Sequence, residues 1–431
     1  MSGMSHRIAT AAAVLLASTV ILQGEGDKAV NLVTGQGAFV DAHDLKPGTF
    51  RKITANDLPK PYATESNRNT ELAPRPAGAL PAAPAGFKVE LYLDELKNPR
   101  QMRIAPNGDF FLTETSAGEI KVIRGRGADG RPQQVETFAT GQKGAFGINF
   151  YPPGANPQWV YVGNTTSVVR FPYKNGDLKA TGPAQVLIPD LPSGGHSTRD
   201  LVFSKDGKQM LVAVGSGSNV DDPDTHPREI RRANILEYTP EGKFVGIYAA
   251  GIRNPVGLGV NPETGEVWCS VNERDALGDN LVPDYITHVQ PDGFYGWPWF
   301  YTGGHQDPRL EGKHPELKDK VLIPDVLVQP HSASLGLTFY EGTQFPKEYR
   351  GDLFAAEHGS WNRAHESGHE VVRVPLSKGH ASGMYEDFLT FLGPDGQAWG
   401  RPVGVAVGKD GALYVTDDGS RAIWRVTWAG R

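Results

Sequence analysis

The sequence predicts an all-β fold, a six-bladed β-propeller occupying residues 87–431. Three observations carry that expectation. One strand–turn–strand unit recurs six times, and a lone strand stands ahead of the first copy. The composition agrees: 52 glycines and 33 prolines in 431 residues suit many short strands joined by tight turns rather than packed helices.

The copies run in order along the chain. The first reads PNGDFFLTET…EIKVIRG from Pro106, and the second PPGANPQWVYVGN…SVVRFPY from Pro152. The third is SKDGKQMLVAVGS…ANILEYTPEG from Ser204, and the fourth NPETGEVWCSVNE…YITHVQPDG from Asn261. EYRGDLFAAEHGS…EVVRVPL from Glu348 and GKDGALYVTDDGS…AIWRVTW from Gly408 complete the set. Each is built on a Gly-containing turn, commonly Asp-Gly or Asn-Gly, which favours a hairpin between alternating apolar strands. The spacing is irregular, as in propeller blades with variable loops; a parallel solenoid needs a shorter and stricter period. The segment FKVELYLDEL (Phe87–Leu96) is placed to complete the last blade and remove the open edges of the ring.

Ahead of the propeller, His6 and Arg7 precede the apolar run Ile8–Leu22, the pattern of a signal-peptide core. Residues 1–24 are therefore expected to be a signal peptide or an uncleaved N-terminal anchor, which implies a periplasmic or secreted protein. Residues 25–86, ending in the Pro/Ala-rich stretch Ala73–Gly86, read as an extended linker. A net charge of -6 argues against nucleic acid as a partner. Cys269 is the single cysteine, so neither an intrachain disulfide framework nor a CxxCH haem attachment exists, and redox chemistry would need another cofactor.

Propellers carry function in the loops at one mouth of the channel, and five constellations fall at such positions. Gly194-Gly195-His196, just before the strand Leu201-Val-Phe, presents an imidazole whose ordinary pKa suits a general base; a plain surface histidine is the bland reading. Arg253-Asn254-Pro255 offers a forked cation and an amide, suited to carboxylates or quinone oxygens, or else a loop-capping arginine. Glu273-Arg274-Asp275 through Asn280 is rich in hard oxygens that fit Ca²⁺, or a solvated acidic turn. Phe294–Trp299 follows, an aromatic cluster that could stack on a planar ring or pack between blades. His358-Gly-Ser-Trp361-Asn362-Arg363 and Gly400-Arg401-Pro402 add two more guanidinium groups that would converge on one polyanion.

In that order these elements resemble the soluble quinoprotein sugar dehydrogenases, and the L-sorbosone dehydrogenase-like branch most of all. The resemblance covers Phe87 to the C-terminus and rests on Gly-His196 before LVF, Arg253-Asn254-Pro255, Tyr295-Gly296-Trp297-Pro298, YRGDLF with HGSWNR, and GRPVGVAV. It implies a propeller that binds pyrroloquinoline quinone (PQQ) and Ca²⁺ and oxidises a sugar or sugar-derived aldehyde, passing electrons to an acceptor the sequence does not name. It further implies His196 as general base, with Gln142, Arg253, Asn254, Arg363 and Arg401 on the quinone. The Glu273–Asp275 loop would be at the metal. Gly195 stands where glucose-oxidising members carry Asp. Two other readings stay open at this point: a Ca²⁺-dependent lactonase-like hydrolase, and a non-enzymatic binding propeller.

Overall fold

The Asp-Gly turns do locally what the pattern asks of them. Gly207 (φ +70°) and Gly411 (φ +77°) take the left-handed conformation that turns Asp206 and Asp410 back on the following strand. The computed structural model describes residues 19–23, 29–68 and 72–430. Within them, six antiparallel four-stranded blades, two of them extended by further strands, surround a central channel, which is the expected propeller.

Blade I comprises Pro99–Ile104, Phe110–Glu114, Glu119–Arg124 and Gln134–Ala139. Blade II is Gly147–Tyr151, Trp159–Asn164, Ser167–Pro172 and Gln185–Ile188. Blade III is Leu201–Phe203, Met210–Val214, Asn234–Tyr238 and Phe244–Ala250. Blade IV is Asn254–Val260, Val267–Asn272, Pro283–His288 and Val326–Pro330. Blade V is Ser334–Phe339, Leu353–Glu357, Glu370–Val374 and Met384–Thr390. Blade VI joins Pro402–Val407, Leu413–Asp417 and Ala422–Trp428 to the early strand Phe87–Leu93. That last pairing, with Ile423 opposite Leu93 and Trp428 opposite Phe87, closes the ring as the sequence predicts.

Second strands such as Phe110–Glu114 and Leu353–Glu357 are buried at every position, because neighbouring blades cover both faces. Aromatic side chains fill the wedges. Phe87 meets Phe345, Phe388 and Trp428 edge-on at 4.8–5.0 Å, and Trp399 meets Trp424 at 5.8 Å. The first strand of a blade lines the channel, where backbones come too close for side chains. A Cβ on Gly257 would lie 2.2 Å from the Leu335 carbonyl, and one on Gly404 2.7 Å from that of Arg100. This packing explains the glycine in GRPVGVAV. Below the mouth the channel is tied by a polar knot. The buried Asp200 accepts from Gln101 Nε2 (2.9 Å), Arg103 Nη2 (3.1 Å) and the Leu258 amide (3.0 Å), linking blades I, III and IV.

Residues 29–68 and 72–86 depart from the expected linker. Phe50–Lys52 pairs with Met384–Glu386 on the outer edge of blade V, and Ala29–Thr34 adds a further strand beside it. Leu32, Ala38, Leu45 and Ile53 are buried, and Arg51 makes a two-pronged ion pair with the buried Asp387 (2.8–3.1 Å). Even the Pro/Ala stretch is seated: the Arg75 guanidinium lies 4.6 Å from the ring centre of Trp424, and the Ala82 amide donates to the Thr390 carbonyl. Of the expected targeting segment 1–24, residues 1–18 and 24 lie outside the described residues, and Thr19–Gln23 pairs with the strand Ala29–Thr34.

Candidate active site

His196 sits on a loop that its own neighbours hold rigid. Arg199, buried just after it, donates to the carbonyls of His196 (3.0 Å), Thr198 (2.7 Å) and Pro192 (2.5 Å). Gly195 is required by close approach as well as by conformation (φ +64°), since a Cβ there would lie 2.5 Å from Gly217 Cα. The imidazole Nδ1 lies 3.0 Å from the Ser216 carbonyl and 3.1 Å from its hydroxyl. Donation to that carbonyl puts the proton on Nδ1 and leaves Nε2 as the basic nitrogen. Burial, then the nearby Arg253 charge, pushes the imidazole down to about 3, so it is neutral at working pH.

A cavity of about 200 Å³ opens beside this ring, lined by His196, Arg253, Glu273, Asp275, Asp284, His331 and Trp361, with Asn272, Ala333 and Asn362 completing it. The sequence expectation thus brings together His196, Arg253 and the Glu273–Asp275 loop. Arg253 donates to the Glu273 carbonyl (2.5 Å), to Asn219 Oδ1 (3.0 Å) and to Asp275 Oδ2 (2.9 Å). Burial would raise the Asp275 carboxyl, but Arg253, His331 and Asn362 outweigh it and hold the group well below the usual range. Asp284 behaves oppositely. Fully buried and satisfied only by the Glu273 and Ala333 amides (2.7 Å each), it is pushed well up, with Glu357 adding to the effect.

The other expected residues are placed differently. Asn254 lies next to the cavity: its Nδ2 donates to Asn272 Oδ1 (3.2 Å), its Oδ1 is buried without a partner, and a Cβ on Gly215 would touch both it and His196. Gln142 pairs with Asn164 (3.1 Å) and the Thr140 carbonyl between blades I and II, away from the cavity wall. Arg401 stands beside His358 and His369 at the start of blade VI, where burial lowers both imidazoles and its charge adds to the effect; it does not line the cavity either. Arg363 is the clearest correction. It is buried against the Asp279 and Val40 carbonyls, Gln329 and Asn280, so it clamps the N-terminal segment to the loop between the second and third strands of blade IV and does not line the cavity. The Glu273 carboxylate accepts from Arg274 Nε (3.0 Å) through one oxygen and buries the other without a partner, while the Glu273 carbonyl accepts from Arg253. Arg274 in turn is anchored on Asp307 and the carbonyls of Pro298 and Phe300.

Sequence reasoning missed Ser216, Asn219, Asp284 and His331. Asn219 alone links Arg253, both backbone atoms of Asp275 and the Trp297 indole. Its neighbours in sequence, a polar run in a long loop, carry no spacing signal. His331 sits at φ +63°, a backbone state that only the fold reveals.

The arrangement combines a neutral base, a guanidinium and an orphaned amide oxygen around a concave floor. That donor set suits a flat, anionic, oxygen-rich ligand. The Glu273 carbonyl and the carboxylates of Asp275 and Asp284 are hard oxygens of the kind a divalent cation takes, and among the described residues Asp284 makes no ion pair.

Comparison with known proteins agrees. The chain is 32% identical over 356 residues to an uncharacterised protein of Borreliella burgdorferi, covering 80% of this chain and 89% of that one. It is 26% identical over 301 residues to an aldose sugar dehydrogenase of Escherichia coli, covering 63% and 78%. Among solved structures, the fold matches a calcium structure of the Trichoderma reesei Carbohydrate-Active Enzymes Family AA12 protein (TM-score 0.70, 18% identity, 84% of this chain and 99% of that one). It also matches the holo form of the pyranose dehydrogenase PQQ domain from Coprinopsis cinerea (TM-score 0.67, 21% identity, 84% and 100%). The sequence model of the glucose/sorbosone dehydrogenases matches residues 96–425, and with the propeller and its His–Arg cavity in place, the chain belongs to that family.

Proposed function

We propose that this protein is a quinoprotein oxidoreductase that oxidises a sugar or sugar-derived aldehyde of the aldose/sorbosone class, using PQQ and Ca²⁺, with His196 as general base. The carrying observation is the orientation of His196: Nδ1 is committed to the Ser216 carbonyl, so Nε2 is the free acceptor beside a cavity whose other wall is Arg253. The residues present fit the cofactor's chemistry. Arg253 would face its anionic oxygens, the unpaired Asn254 Oδ1 stands ready for a polar ring atom, and the Glu273 carbonyl with Asp275 would hold the cation. When bound, PQQ supplies a two-electron acceptor, and Ca²⁺ polarises it.

The chain's own contribution is positional and electrostatic. Nε2 of His196 takes the proton of the substrate hydroxyl, and the Ser216 carbonyl keeps the resulting imidazolium oriented and stabilised. Arg253, fixed by Asn219 and Asp275, provides preorganised positive charge where negative charge develops. The hydrolase reading needs several carboxylates converging on a metal. Among the described residues the one grouping of that kind, Asp222, Asp224 and His314, does not line this cavity.

The test is reconstitution: purified apoprotein with PQQ and Ca²⁺, assayed for dye reduction over a panel of aldoses and aldehydes. Turnover with cofactor-dependent absorbance supports the reading; the absence of both cofactor uptake and oxidation of any sugar overturns it. Residence in the periplasm or outside the cell, with or without an N-terminal anchor, is part of the same proposal and rests on the Ile8–Leu22 run.

A further inference from the structure

At the rim of the cavity one large aromatic side chain is left open. Trp361 lines the same cavity as His196, Asp275, His331 and Asn362, yet it is 48% exposed. Its loop is not loose. The next residue, Asn362, donates to Asp275 Oδ1 (2.7 Å), and the Ala364 amide donates to Asp279 Oδ2 (3.0 Å). The indole is therefore presented at a fixed place beside the base.

The N-terminal segment reaches the same spot. Its path is pinned by the Tyr62 amide on the Leu277 carbonyl (2.8 Å), by Thr64 Oγ1 accepting from the Asp279 amide (2.8 Å), and by Asn67 against the Asp279 carboxylate (3.4–3.5 Å). Arg68 follows directly, exposed, with its guanidinium carbon 5.9 Å from the centre of the Trp361 ring. That separation is at the outer reach of a cation–π contact. Arg68 is exposed beside the ring, and no carboxylate among the described residues pairs with it. Asp275, the cavity-wall carboxylate nearest in function, is already neutralised by Arg253 (2.9 Å).

We infer that Arg68 and Trp361 form a selectivity rim that favours sugars carrying a carboxylate, the uronic-acid type, over their neutral counterparts. This rests on the reading that the cavity receives a sugar. The ring offers an apolar face to the sugar's C–H groups, while the guanidinium matches a carboxylate in geometry and charge. With the reacting carbon at His196, the rim would read the far end of the substrate. A segment outside the propeller would thus set specificity for a reaction performed inside it.

The experiment has two arms. In the cofactor-free protein, tryptophan fluorescence is titrated with galacturonate and with galactose, and Trp361→Phe identifies the part of the signal that belongs to the rim. Galacturonate is expected to bind about tenfold more tightly, the scale of a hydrogen bond to a charged group. The ratio should fall towards one in Arg68→Gln, recover in part in Arg68→Lys, and shrink as salt rises. In the reconstituted enzyme, kcat/KM for the two sugars should show the same ratio. Equal binding of charged and neutral sugars by the unmodified protein, or a preference that survives Arg68→Gln, overturns the inference. Oxidation of neutral sugars with no preference removes the rim and leaves the dehydrogenase reading intact. A protein that oxidises no sugar removes that reading, while the fluorescence arm still decides the rim.

Discussion

Nδ1 of His196 lies 3.0 Å from the carbonyl oxygen of Ser216, so the candidate base is oriented by backbone rather than by a carboxylate. A backbone carbonyl cannot be titrated, and the imidazole is already held down to about 3 by burial and Arg253. The kcat/KM profile of the reconstituted enzyme should therefore show no acid limb from this group between pH 5 and 8. A limb centred near 6.5 would place the base elsewhere. His196→Ala should lower turnover by roughly a hundredfold or more while PQQ uptake, followed by absorbance, persists.

The same buried histidine makes a second, independent statement about stability. His196 and the buried His369 both titrate at about 3 when folded, against about 6.5 when unfolded. Between those values the unfolded chain binds more protons, so the share of stability carried by these two histidines falls as pH drops below about 6.5. Urea midpoints measured at pH 7.5 and 5 should show the loss, and it should be smaller in His369→Gln.

Arg253 and Asp275 depend on each other. Removing the carboxylate with Asp275→Ala leaves a nearly buried guanidinium with only neutral partners. We expect a stability loss of about 2–3 kcal/mol, below the fully buried case because Asp275 is part-exposed. Arg253→Gln should instead reduce PQQ affinity, at least tenfold on the scale of a lost charged hydrogen bond, as measured by equilibrium dialysis.

Arg51 and Asp387 fasten the N-terminal segment to blade V through a buried two-pronged pair. Arg51→Met should cost about 3 kcal/mol and open residues 29–68 to limited proteolysis before the propeller itself is cut. Simultaneous protection of both regions would show that the segment is held by its apolar contacts alone.

Glu357, deep in blade V between the Ser332 and Ser334 hydroxyls, is pushed up to about 7 by burial. Its folded value lies above its unfolded one, so its share of stability is full below about 4.5 and is lost as pH rises through 7. Glu357→Gln keeps the shape and removes the ionisation. Its denaturation midpoint should change less between pH 5 and 8 than that of the unmodified protein.

The propeller was legible because its information is local: a Gly turn flanked by alternating strands can be read without knowing what packs where, and even the closing strand announces itself by standing alone. His196, Arg253 and the Glu273–Asp275 loop were legible for a related reason, since each sits in a Gly- or Pro-marked loop beside a blade strand. What the sequence hides is non-local pairing. Residues 29–86 lack any period, and their order comes from partners such as Asp387, more than three hundred positions away. Arg363 looked like a ligand for a polyanion because a guanidinium's direction is set by tertiary contacts, here Val40, Gln329 and Asn280. Nothing in the sequence around Asp284 marks its burial between the Glu273 and Ala333 amides, which only the fold brings together.

The pairing of Phe87–Leu93 with Ala422–Trp428 has a temporal side. The propeller's own earliest strand must wait, with one edge bare, until Ala422–Trp428 has been synthesised. The loops of blades I, IV and VI cannot share a mouth before that moment. Catalytic competence should therefore arise in one late event, and a chain truncated before Ala422 should gain none of it.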